Sequence, residues 1–159
     1  MSKRMHLQRI PGQRGFSIVE AMVALLVLSV GMLGIAGLYV TTLRASGSAL
    51  YRSHAINFAA DMADRIRANP TAGAAYAGAA ANNNCAQGAT CNPAQLAADD
   101  VFRWQQQVAT TLPDDGDPGL PQTQVVVVGA AAPRTYQITV RWAEPAEPQP
   151  LSYVLRMQI

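Results

Sequence analysis

No charged side chain interrupts residues 21–43, a run of 23 residues rich in Leu, Val, Ala and Gly. As a helix that run is about 34 Å long, against a bilayer hydrocarbon core of about 30 Å, so it spans with some tilt. After Arg44 the apolar positions narrow to a stripe, Ala55, Ala59, Met62 and Ile66, at helical spacing, and Pro70 stops the element. One helix is therefore expected from Phe16 to about Asn69, roughly 80 Å in length. Its first half is apolar all round and its second half is a one-sided spine. The Asp61 and Arg65 pair, four residues apart, belongs to the polar side of that spine.

Residues 70–93 have no period. Nine alanines and the Asn82-Asn83-Asn84 run predict a long surface loop. Asn92 followed by Pro93 then reads as a cap and a first helical position. Ala97, Val101, Trp104 and Val108 share one face of a second helix over about residues 93–111, with Trp104 as a core anchor. Beyond the breaker-dense residues 112–122 the period changes to two. Three strands are predicted: residues 124–128, then Tyr136, Ile138, Val140 and Trp142 in alternation with polar residues, then Leu151, Tyr153, Leu155, Met157 and Ile159. Short connections make them an antiparallel meander with one face on the spine helix. The fold class is α+β.

Charge divides the chain more sharply than its net value of +2 suggests. Lys3, Arg4, Arg9 and Arg14 all precede Phe16, and all ten acids follow Gly15, so from Phe16 onward the balance is 8 − 10 = −2. A basic leader beside an apolar span holds that flank in the cytoplasm and sends everything after Arg44 outside. The remaining head has no basic footprint of the kind nucleic-acid binding requires. Cys85 and Cys91 lie in the exported part, where a disulfide is the default state, and closing so small a loop is worth about 2 kcal/mol on the chain-entropy argument. No metal site is expected at the pair, since neither His6 nor His54 is near in sequence and two thiolates do not complete a tetrahedral site.

Glu20 is the oddity of the apolar segment, because an ionisable group at a membrane edge requires a partner. An ordinary secretory signal has a shorter apolar region and a small-residue cut after it, whereas here the cut is expected before the run. The residues Arg14-Gly15-Phe16-Ser17-Ile18-Val19-Glu20, followed by about twenty apolar residues, resemble the class III signal of type IV prepilins and type II secretion pseudopilins. That resemblance implies cleavage by a prepilin peptidase between Gly15 and Phe16 and N-methylation of Phe16. It also implies an assembly role for Glu20, whose carboxylate meets the terminal amine of a neighbouring subunit. The physics agrees, since cleavage creates an amine of intrinsic pKa about 8, largely cationic, close to that carboxylate.

The wording of residues 25–43 and 61–70 resembles the PilV group of minor pilins. The implied architecture is a pilin-like lollipop: leader 1–15, transmembrane and assembly helix 16–43, amphipathic spine 44–69 and periplasmic head 70–159. The implied partners are the prepilin peptidase, the inner-membrane assembly platform, other minor pilins, the major pilin and a large tip adhesin. The implied location is the inner membrane and then the extracellular pilus.

Enzyme chemistry finds little support. His54 is the one exported histidine, and no nucleophile with a base, phosphate loop, cofactor motif or metal cluster can be assembled. Asp114, Asp115 and Asp117 around Gly116 invite a calcium reading, but the distal glutamate of the full loop is missing. The expected function is a minor pilin in assembly initiation or the tip complex. The alternatives are a type II secretion minor pseudopilin and a pilus-tip adhesion or DNA-uptake subunit.

Overall fold

The computed structural model describes residues 15–114, 116, 120–129, 133–144 and 147–159. The leader up to Arg14, together with Asp115 and Asp117 of the aspartate loop, lies outside the described residues. The chain divides into two compact units, Met1–Arg44 and Ala45–Ile159.

Helix α1 runs over Ile18–Ala68. In the first unit its residues are exposed throughout, as the all-round apolar pattern dictates when no partner is present. In the second unit the predicted stripe is the buried one: Ala55, Ala59, Met62, Ala63 and Ile66 are each at most 1% exposed. Three of the five are alanines, which let neighbouring elements approach the helix axis closely.

Residues 70–93 are more ordered than the loop expected from their composition. Pro70–Ala77 forms short 3₁₀ turns, kinked at Gly73 with φ +55°, and sends Tyr76 into the core at 1% exposure. Gly73 is favoured by its positive φ, which side chains rarely adopt, and the Arg134 guanidinium lies against it. Its carbonyl accepts a hydrogen bond from the Tyr136 hydroxyl at 2.9 Å, which ties the turn to the sheet. Composition hides this because a single tyrosine carries most of the burial, while Ala72, Ala75 and Ala80 pack only partly against the core.

Helix α2 spans Pro93–Thr111. Asn92 caps it reciprocally with Gln95: the Gln95 N–H donates to Asn92 Oδ1 at 2.8 Å and the Asn92 N–H donates to Gln95 Oε1 at 3.0 Å. Ala97, Val101, Trp104 and Val108 are buried as their spacing predicts, and the Trp104 indole donates to the Phe58 carbonyl of α1 at 2.9 Å.

Strands β1 (Thr123–Val128), β2 (Thr135–Trp142) and β3 (Leu151–Gln158) form one antiparallel sheet in that order. The register aligns Val125, Ile138 and Leu155 in one inner row. On the central strand Tyr136, Ile138, Val140 and Trp142 are all buried, closing one core with the α1 stripe, Tyr76 and the apolar face of α2. Strand β3 differs: only Met157 is buried, and Leu151, Tyr153 and Leu155 are half-covered.

Candidate processing and assembly site

Gly15 and Phe16 precede α1 and are not helical, and Phe16 is 83% exposed. The helix is opened by Ser17. Its hydroxyl accepts from the Val19 N–H at 3.3 Å, and its carbonyl accepts from the Ala21 N–H at 3.2 Å. The sequence reading did not single out Ser17, although a serine just before an apolar helical run is a cap signal. Its consequence is local: the Gly15-Phe16 bond lies in exposed, non-helical chain, the kind of backbone a peptidase can engage.

Glu20 sits in the first turn of α1 and is exposed. A carboxylate there complements the positive end of the helix dipole. Beyond it α1 is the one helix among the described residues long and apolar enough to cross a membrane, and no part of that window is buried. Gly15, Phe16 and Glu20 thus lie together on one exposed helical entry. Cys85 and Cys91 belong to the other unit.

Cys85 and Cys91 are joined in a disulfide that closes a small loop over the start of α2. The loop turns through two left-handed residues, Asn84 at φ +55° and Gly88 at φ +98°. Asn83 fastens it to α2, its N–H donating to Asp99 Oδ1 at 2.8 Å and its side-chain amide to the Gln95 carbonyl at 2.9 Å.

Beneath this loop lies a polar network that sequence spacing showed only in part. Arg65 pairs with Asp61 at 2.9 Å and reaches across to Asp100 of α2 at 3.3 Å. The residues around it are therefore not a simple solvated face, since Met62 and Ala63 are core and Arg65 is a cross-link. Arg103 pairs with Asp99 and Asp100, each at 3.0 Å. The Arg103 Nε and Asp99 Oδ2 atoms make no angular hydrogen bond with each other, so theirs is an ion pair of close charges.

The Tyr76 hydroxyl lies 3.0 Å from both the Arg65 carbonyl and Asp100 Oδ2. Burial, reinforced by the Asp100 charge, pushes its pKa up to about 12. Arg65, Arg103, Asp61, Asp99 and Asp100 each have a partner of opposite charge in the network. Among the described residues no group of three or more His, Cys, Asp or Glu side chains could hold a metal ion.

A third buried carboxylate, Glu144, follows β2 and was not singled out in the sequence. Ser48 Oγ donates to it at 2.7 Å and the Trp142 indole at 3.0 Å, with Arg52 Nε 3.7 Å away. Burial alone would raise its pKa, but the Ser48 and Trp142 hydrogen bonds and the Arg52 charge outweigh burial and hold it below the usual range.

Two family models match the chain. Residues 10–36 are similar to the prokaryotic N-terminal methylation motif, and residues 37–102 to the family described as type IV pilin Tt1218. Neither the curated proteins nor the solved structures contain a match. The first match covers the Gly15-Phe16 junction and Glu20; the second covers the spine, the disulfide loop and the start of α2. Abutting at residue 36, and joined to a long apolar helix, a short second helix and a small three-stranded antiparallel sheet, the two matches support a type IV pilin with a prepilin methylation motif.

Proposed function

We propose that this chain is a minor pilin of the PilV kind, stored in the inner membrane with its head in the periplasm. It is cut by prepilin peptidase between Gly15 and Phe16 and methylated at Phe16. It then joins a type IV pilus together with the major pilin and other minor pilins. The observation that carries the proposal is the entry to α1: an exposed, non-helical Gly15-Phe16 junction, a capped helix and a first-turn carboxylate at the head of an unpartnered apolar run.

In this reading Glu20 provides the counter-ion for the amine that cleavage creates, across the contact between adjacent subunits. Removing water strengthens that attraction, and each ion offsets the desolvation cost of the other. Residues 16–43 exchange lipid for the apolar helices of neighbours, and the head supplies subunit-specific contacts in assembly initiation or at the tip.

The mass of the N-terminal peptide from sheared filaments tests the proposal. A peptide beginning at methylated Phe16 is the expected result, and an intact Met1 terminus or a cut beyond the apolar run overturns it. For Glu20→Ala the expected outcome is normal membrane insertion with incorporation into filaments reduced at least about tenfold, the loss of one charge pair. Wild-type incorporation of that variant removes the assembly role of Glu20.

A further inference from the structure

The two edges of the sheet are not alike. Arg134 and Ile159 exchange both backbone hydrogen bonds, N–H to O at 2.7 and 3.0 Å, which fixes the phase of the β2–β3 ladder. In an antiparallel pair the bonded residues recur every second position, so Leu151, Tyr153, Leu155 and Met157 direct their N–H and C=O groups to β2. Ser152, Val154, Arg156 and Gln158 direct theirs away from the sheet, and all four are exposed. On the opposite edge the Pro70–Ala77 turns pack against β1, where Thr123 is 6% and Val125 8% exposed. Among the described residues one edge is covered and the other is open.

The open edge coincides with the thin part of the core. Beside β3 an apolar groove of about 240 Å³ is lined by Ile56, Trp142, Leu151 and Tyr153, with Arg52 and Ser152 at its rim. Ile56 remains 46% exposed there. Natural proteins blunt free edges with proline and charged side chains, and within β3 Arg156 is the one such residue. The sheet is one strand short of covering its own inner face.

Charge identifies what completes it. None of the three strands contains an acidic residue, while Arg156 stands exposed on the outer row of β3 itself. A second copy pairing β3 against β3 would bring another arginine to the edge and no acidic side chain from the strand. We infer that the free edge of β3 takes an extended segment of a different protein chain as a fourth strand. That segment carries aliphatic side chains on one face, which enter the groove beside Ile56, and carboxylates on the other, which face Arg156. Backbone pairing supplies its affinity, and the alternating side chains supply its specificity. This inference rests on the sheet edge and the groove beside it, and stands apart from the pilin proposal.

The test uses the full-length protein in detergent micelles and a synthetic octapeptide in which valine alternates with glutamate and threonine. Amide hydrogen exchange followed by NMR should slow about tenfold or more at Ser152, Val154, Arg156 and Gln158, with Tyr153 and Leu155 unchanged. Val154→Pro removes one outward N–H without touching the β2 ladder and should abolish that protection. Arg156→Glu, at an exposed side chain, should weaken peptide binding about tenfold while leaving the fold intact. The inference is overturned by any of four results: no protection at about 1 mM peptide, protection along β1 instead, Val154→Pro and Arg156→Glu both binding as wild type, or protection of the same amides by self-association without peptide.

Discussion

The two halves of α1 belong to one continuous helix yet obey different solvents. Over residues 18–46 every side chain is exposed, although nearly all are apolar. In the second half burial is confined to a stripe ending at Ile66, and charged residues occupy the remaining faces. An all-round apolar helix gains nothing by burying one side, because its other sides still require an apolar medium. A one-sided helix is satisfied by a single core. The helix is continuous in its backbone, and the side-chain pattern decides where the all-round apolar segment ends and the head begins.

The comparison can be broken most forcefully from the head side. Trp104 is fully buried and its indole bonds the α1 backbone, so Trp104→Ala should cost about 3–5 kcal/mol. Thermal unfolding of the head, followed by near-UV circular dichroism in detergent, should fall by more than about 12 °C, with membrane insertion unaffected. A head that melts unchanged would mean that α2 does not organise the core.

The reciprocal change is Leu28→Arg, which puts a charge into the exposed apolar half at a cost to insertion of about 2.5–3.5 kcal/mol. Membrane fractionation should show reduced integration while the solubilised head keeps its melting temperature. Coupled loss of both would deny that the halves are energetically separate.

A smaller effect is expected at the disulfide. Cys85→Ser with Cys91→Ser should lower head stability by about 2 kcal/mol in denaturant titration, since the bridge closes only a short loop. Loss much beyond this would show that Asn83 and Asp99 depend on the bridge for their contact.

The smallest effect concerns Glu144, whose pKa is lowered in the folded state. A depressed carboxyl pKa stabilises the fold above the unfolded value, about 4.3, and that contribution is lost as pH falls through the folded value. Acid titration of the head should therefore show a stability loss below about pH 4.3 that is shallower in Glu144→Gln. Identical acid profiles would remove Glu144 from the bond between β2 and α1.

Much of the fold was legible because its signals are local. The period of Ala55, Ala59, Met62 and Ile66, the cap at Asn92 and the alternation from Tyr136 to Trp142 each report an element through neighbours a few residues away. Tyr76 was not legible, because its burial depends on Asp100 and the Arg65 carbonyl arriving from two other elements. Arg65 was read as half of a local pair, and its second half lies 35 residues away. Glu144 carries no local signal, because Ser48, which donates to it, lies 96 residues away. At the entry to α1 the junction and Glu20 stood out in sequence, while the cap at Ser17 emerged from the hydrogen bonds.

The sequence by itself determined that one helix must serve two environments, that a short second helix and a three-strand meander follow it, and that Gly15, Phe16 and Glu20 lie together at its start. Those properties rest on composition and period, which need no distant partner. Only the tertiary structure decided which buried charges are neutralised and which edge of the sheet is left open. Pairing between remote segments fixes both, and no local pattern encodes the distance between Arg65 and Asp100 or the uncovered side of β3.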